Sequence, residues 1–175
     1  KRQPNIPSEE VFTTPHALRV EGYVSSTKPL SHQGTLIDNI RVVFEKGSIT
    51  DAKASKGETV LKKVLESDEG ARRLGEVALV PNSSPISNSG LLFYNTLFDE
   101  NAACHIALGQ CYSKCFKGEK NLSSSEIRER GGNSSMIHID WMIGSGEIDI
   151  DGFRKNGEIV PIFRNCLLYT SDAAD

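Results

Sequence analysis

Met136-Ile137-His138-Ile139-Asp140-Trp141-Met142-Ile143 is the stretch on which the reading of this chain turns. Bounded by Gly131-Gly132 before it and Gly144-Ser145-Gly146 after it, and rich in apolar and β-branched residues, it is predicted to be a strand. In a strand, residues i and i+2 share a face. His138 and Asp140 therefore project together, while Ile137 and Ile139 form the opposite, apolar face. An imidazole beside a carboxylate suits a divalent cation. An isolated pair of this kind is also the pattern of a hydrogen-bonded structural histidine, so the pair needs company before it can define a site.

Working outward, Val11 to Val24 reads as extended chain, and Thr35 to Phe44 followed by Glu45-Lys46-Gly47 and Ile49 to Ala54 reads as a hairpin. Glu58 to Leu65 places Val60, Leu61, Val64 and Leu65 on one side with Lys62 and Lys63 on the other, the pattern of an amphipathic helix. A second short helix is expected over Asp68 to Leu74. Val77 to Val80 is a short apolar strand ended by Pro81. Asn82 to Gly90 reads as a polar loop. A helix is expected from Glu100 to about Tyr112 with Asp99 as its N-cap. Ser123-Ser124-Ser125-Glu126 carries a capping-box pattern. Glu147 to Ile150 and Glu158 to Phe163 are expected strands, with Asp151-Gly152 and Asn156-Gly157 as turns. The sum is an α+β domain with a mostly antiparallel sheet and a few helices.

The chain has 175 residues, enough for one domain with its own core. Its 20 Lys and Arg against 23 Asp and Glu give a net charge of −3, which argues against a nucleic-acid partner. No apolar run is long enough for a membrane span, so no membrane partner is expected. The four cysteines (104, 111, 115 and 166) form no CxxC pair and read as reduced thiols of a cytoplasmic protein. The chain opens at Lys1 rather than Met, which suggests a cut start. Cys166 to Asp175 follows without turn logic and reads as foreign, adapter-derived sequence. Residues 1–165 are then expected to be the native domain and 166–175 a non-native tail.

The remaining chemistry-bearing residues gather around the opening pair. On a helix, His105 and Tyr112 would share a face, with Glu100 in the first turn. The adjacent Glu9 and Glu10 repel one another unless solvated or neutralised by a cation. Glu76 stands between Gly75 and an apolar strand, where a carboxylate wants a partner. Each feature alone also fits a bland reading as core, solvated loop or exposed strand start. Together, positions 10, 76, 100, 105, 138 and 140 offer two histidines and four carboxylates, enough for two hard or borderline cations sharing bridging carboxylates. A thiolate site is excluded by the cysteine pattern. His16 and His32 read as ordinary loop histidines.

The chain resembles the thermophilic-type metalloaminopeptidases, the family of aminopeptidase T, aminopeptidase S and PepS. The stretches that carry the resemblance are 5–16, Glu21-Gly22-Tyr23, 26–30, 75–80, 84–87, 90–101 and 138–146. It implies the C-terminal catalytic domain of a larger two-domain enzyme, one that removes the N-terminal residue from peptides with a free N-terminus and works as a homodimer. It implies metal ligands at Glu10, Glu76, Glu100, His105, His138 and Asp140, an active-site tyrosine at Tyr112, and two divalent ions, whether Zn, Co, Mn or Mg. Glu9, beside the ligand Glu10, is the candidate general base, and Tyr112 the candidate donor to a developing oxyanion. The competing readings are a dinuclear hydrolase of another class, such as a phosphoesterase, and a non-catalytic metal-binding module. No basic cluster flanks the carboxylates, as phosphate chemistry would want.

Overall fold

The computed structural model describes residues 9–118 and 121–168. Residues 169–175 of the expected foreign tail lie outside the described residues.

In chain order the strands are β1 (Val11–Thr13), β2 (Gly22–Ser25), β3 (Leu30–His32), β4 (Thr35–Ile37), β5 (Arg41–Glu45), β6 (Ser48–Lys53), β7 (Leu74–Leu79), β8 (His105–Gly109), β9 (His138–Met142), β10 (Ile150–Phe153), β11 (Ile159–Arg164) and β12 (Leu167–Leu168). The helices are α1 (Glu58–Leu65), α2 (Pro85–Ser89), α3 (Thr96–Asp99) and α4 (Ser124–Glu129). The central sheet has four strands in the order β1-β7-β8-β9, and each neighbouring pair is antiparallel. Two three-stranded sheets, β2-β5-β6 and β10-β11-β12, and the β3-β4 hairpin complete the fold. The α+β, mostly antiparallel expectation is met.

The core forms between the back of the central sheet and the β2-β5-β6 layer with α1. Ile106 and Leu108 from β8 and Trp141 from β9 pack with Val42, Phe44, Ile49, Leu61 and Leu65. Each such side chain contributes roughly 1.5–3 kcal/mol through burial. The amphipathic reading of Glu58 to Leu65 holds, with Leu61 and Leu65 buried. The capping box at Ser123 and Glu126 is fully formed. Asp68 accepts a hydrogen bond from Ala71 N and opens a short 3₁₀ turn, Glu69–Arg72, where a helix was expected.

Five expectations are corrected. The segment from Glu100 to Tyr112 is not one helix: a 3₁₀ turn at Glu100–Ala102 leads into strand β8. Every residue of β8 is buried because the strand is covered on both faces, so it has no polar–apolar alternation. Ala107 and Leu108 carry a helical propensity that tertiary packing overrides. Asp99 ends α3 rather than capping a helix, and its carboxylate accepts from Phe93 N and Asn95 N. The loop from Asn82 to Gly90 contains α2, capped by Ser84 and started by proline. Asp151-Gly152 lies inside β10, which pairs with β11; the expected strand over Glu147 to Ile150 begins only at its last residue.

Candidate metal centre

The central sheet sorts its side chains by face. Ile106, Leu108, Ile139 and Trp141 point to the core, so the alternate positions of β8 and β9 point the other way. Those positions are His105, Ala107 and Gly109 on β8, and His138, Asp140 and Met142 on β9. The register sets Glu76 opposite Ala107 and Ala107 opposite Asp140. Gly109 is paired with His138. Small residues thus form a floor from which the histidines and carboxylates stand up.

Glu76 is brought onto this face by an irregularity in pairing between Leu74 and Glu76. Gly75 makes this possible: a Cβ there would lie 2.4 Å from Gln110 O and 2.5 Å from Gly109 O. Glu10 arrives from the residue before β1, and its side chain is almost fully covered.

Two groups of donors result. Glu10, Glu76 and His105 form one, and Glu76, His138 and Asp140 the other; in each, the candidate ligand atoms lie within 4.8 Å of one another. Glu76 belongs to both and divides its oxygens between them. Its Oε1 is 3.8 Å from His105 Nε2, and its Oε2 is 3.7 Å from His138 Nε2. His105 Nε2 also lies 3.0 Å from Glu10 Oε2, and His138 Nε2 lies 3.4 Å from Asp140 Oδ1.

The ring orientation of both histidines is set by main-chain carbonyls. His105 Nδ1 lies 3.1 Å from Ala103 O, and His138 Nδ1 lies 2.6 Å from Gln110 O. A carbonyl can only accept, so Nδ1 carries the hydrogen and Nε2 is left to face the carboxylates. Among the described residues, Glu76 Oε2 and His105 Nε2 are buried without a well-formed hydrogen bond. Buried polar atoms without such bonds are costly, and these are the atoms a cation would take. The donor set of imidazole nitrogen and carboxylate oxygen fits a hard or borderline divalent ion.

The charges report the same crowding. Burial, and then repulsion by Asp140 and Glu10, push the Glu100 carboxyl up to about 8. Burial also raises Glu76. Burial opposes the charging of His138, yet its hydrogen bond to Asp140 and that residue's charge carry it up to about 9. His105 is raised by Glu10 and Glu76 against the opposing effect of burial. Burial and the surrounding carboxylates push the Tyr112 phenol up to about 12.

Of the predicted site residues, Glu10, Glu76, His105, His138 and Asp140 come together in the two groups. Glu100 lies outside both groups but feels the charges of Asp140, Glu10, His105 and Glu76. With Tyr112, His138 and Asp140 it lines an adjoining cavity of about 250 Å³. Tyr112 shares no helix with His105; it follows β8, and its ring packs edge-on against His138 at 4.9 Å and against Phe12 at 5.4 Å. Glu9 is held through its backbone N–H, which donates to Asn101 Oδ1 at 2.8 Å. His32, read as an ordinary loop histidine, opens onto the same cavity together with Leu30 and Leu97. No spacing in the sequence links those residues to the donors; only the β3-β4 hairpin and α3 bring them there. Gly144, just past β9, packs on Cys104, where a Cβ would lie 2.7 Å from Cys104 N.

Fold and donor set together define a domain built on an antiparallel sheet, with two groups of side chains that could hold a metal ion. The chain matches the thermophilic metalloprotease family (M29) over residues 1–166 and belongs to it. It is 55% identical over 161 residues to aminopeptidase T of Thermus aquaticus, covering 92% of this chain and 39% of that protein. It is 54% identical over 161 residues to aminopeptidase AmpS of Bacillus subtilis, again covering 92% of this chain and 39% of the relative. Aminopeptidase PepS of Streptococcus thermophilus is 51% identical over 162 residues, or 93% of this chain and 39% of that protein. The solved structure of wild-type AmpT from Thermus thermophilus superposes with a TM-score of 0.89 at 51% identity, covering 95% of this chain and 41% of that one. The chain therefore spans about 39% of the length of these relatives. No helix among the described residues is long and apolar enough to cross a membrane.

Proposed function

We propose that this chain is the catalytic portion of a metal-dependent aminopeptidase, in which Glu10, Glu76, His105, His138 and Asp140, with Glu100 beside them, hold two divalent ions. The observation that carries this reading is Glu76, which turns one oxygen towards each histidine. The names of the family's relatives supply the substrate class, peptides with a free N-terminus. Residues 1–165 are taken as the metal-binding unit; the family match runs on through residue 166, Cys166 is buried beside Phe163 and Leu167–Leu168 pair with β11. The full enzyme is a cytoplasmic homodimer.

When bound, two divalent cations supply the Lewis acidity that acidifies water and polarises a carbonyl, and a docking point for a free α-amine. The chain's own residues do the rest. The cavity bounded by Leu30, Leu97 and Tyr112 receives the end of the substrate. Tyr112, whose phenol stays protonated because burial and the carboxylates push it to about 12, donates a hydrogen bond to the oxygen that gains charge. Glu9 accepts the proton given up by water and returns it to the leaving amine. The Nδ1–H bonds to Ala103 and Gln110 keep both imidazoles aimed at the cluster.

The test is hydrolysis of aminoacyl p-nitroanilides by the metal-loaded chain, beside N-acetylated analogues and a phosphate ester. The reading expects cleavage of the free-amine substrates alone, abolished by a chelator. Cleavage of the acetylated analogues or of the phosphate ester would contradict it.

A further inference from the structure

Gln110 lies just past the end of β8, and its carbonyl accepts from His138 Nδ1 at 2.6 Å. Three further hydrogen bonds fix that carbonyl in place. Gln110 N donates to Ile137 O at 2.6 Å. The side-chain Nε2 donates to Cys111 O at 2.9 Å. The side-chain Oε1 accepts from Ser135 N at 3.0 Å. One amide side chain thus straps the segment leaving β8 to the segment entering β9, and does so directly behind a candidate ligand.

The strap is itself anchored. Ser135 Oγ donates to the Asp68 carboxylate at 2.8 and 3.0 Å, and Met136 N donates to the same group at 2.5 Å. Asp68 is fixed in turn by Ala71 N at 2.9 Å. Ser135 Oγ then accepts from Ile137 N at 3.2 Å, next to His138. A continuous polar chain therefore runs from Asp68, which caps the 3₁₀ turn Glu69–Arg72, through Ser135 and Gln110 to His138. The Nδ1 partner of His105 is instead local: Ala103 O, two residues away in the approach to its own strand.

We infer that Gln110 is a positioning residue for His138: its side-chain strap, anchored through Ser135 on Asp68, fixes the ring orientation that keeps Nδ1–H on the Gln110 carbonyl and Nε2 facing Glu76 and Asp140. Removing the strap should loosen the His138–Asp140 half of the centre and spare the Glu10–His105 half. The prediction that affinity changes at one ion rests on the dinuclear reading above; the claim about the ring does not.

The test uses the full chain with Gln110→Met, which keeps side-chain volume and removes both side-chain hydrogen bonds, alongside Gln110→Glu, which keeps the acceptor for Ser135 N–H and loses the donor. The first readout needs no metal: proton NMR of the His138 imidazole, assigned with a His138→Ala control. The wild type should show an Nδ1 proton protected from solvent exchange. Gln110→Met should lose that protection while the unfolding temperature stays within the range of a surface substitution, and Gln110→Glu should retain part of it. The second readout is calorimetric titration with zinc. Affinity at one of the ions should fall about 10–100-fold in Gln110→Met, the usual cost of losing an outer-shell partner, with the other unchanged. A protected Nδ1 proton in Gln110→Met, or equal weakening of both ions, would overturn the inference. A wild-type chain that takes up a single ion would instead defeat the dinuclear reading and leave the NMR comparison to decide the role of Gln110.

Discussion

Glu76 and Asp140 face one another across Ala107, one from each neighbouring strand, with only a methyl group between them. Carboxylates so placed repel in the absence of a cation, and burial forbids water from relieving them: Glu76 is 3% exposed and Asp140 6%. Much of the behaviour expected of this domain follows from that one row of the sheet.

Enlarging the floor should close the site without dissolving the sheet. Ala107→Val adds two methyl groups between the carboxylates, at a position fully buried in the native chain. Overpacking of this kind costs roughly 1–3 kcal/mol. The expected outcome is a folded protein with strongly reduced metal content, checked by elemental analysis beside a thermal melt by circular dichroism. Full metal content would show that the cation does not sit over Ala107.

Metal uptake should release protons. In the metal-free chain His138 is raised to about 9 and Glu100 to about 8, so both hold protons near neutrality that a bound cation would displace. Apparent affinity should therefore rise with pH up to about 9. Calorimetry in buffers of different ionisation enthalpy measures the protons released, and a buffer-independent heat would contradict this.

The same groups set an inverted pH profile for the metal-free fold. Each folded-state value lies above its ordinary one, 6.5 for His138 and 4.5 for Glu100. The folded chain then binds more protons than the unfolded chain between those limits, and stability falls as pH rises through that window. The stabilisation is fully present below the ordinary values and lost above the raised ones. Denaturant midpoints across this range should decline for the metal-free protein and flatten on metal loading. A metal-free profile that climbs with pH would refute the assignment.

Tyr112→Phe separates chemistry from metal binding. The phenol packs on His138 through its ring, and the substitution keeps the ring. Metal content and melting should be unchanged. Turnover of an aminoacyl p-nitroanilide should fall about 10²–10³-fold, the usual loss for an oxyanion donor. Undiminished turnover would remove Tyr112 from the reaction.

Sequence reasoning reached the donors more readily than their supports. His138 and Asp140 were legible because strand periodicity places i and i+2 together, and β9 obeys it. Glu76 was legible as a carboxylate out of place before an apolar strand. His105 was found for the wrong reason: a fully buried strand of Ala, Leu and Ile lacks the alternation that distinguishes strand from helix, so its expected partnership with Tyr112 on a helix face was wrong while their nearness to one site was right. Gln110, Ala103 and His32 left no signal, because what recruits them is a backbone carbonyl or a position on another hairpin. The register that aligns Glu76, Ala107 and Asp140 is likewise a product of strand pairing between segments far apart in the chain.

Glu76, with one oxygen towards each histidine, is proposed to be shared by two metal ions. Its direct test is metal stoichiometry of the purified chain beside Glu76→Gln and Glu10→Gln, with folding verified for each by circular dichroism. About two divalent ions are expected per wild-type chain, as in paired-metal hydrolase sites, about one in Glu10→Gln, and almost none in Glu76→Gln. A folded Glu76→Gln protein that keeps both ions would contradict it.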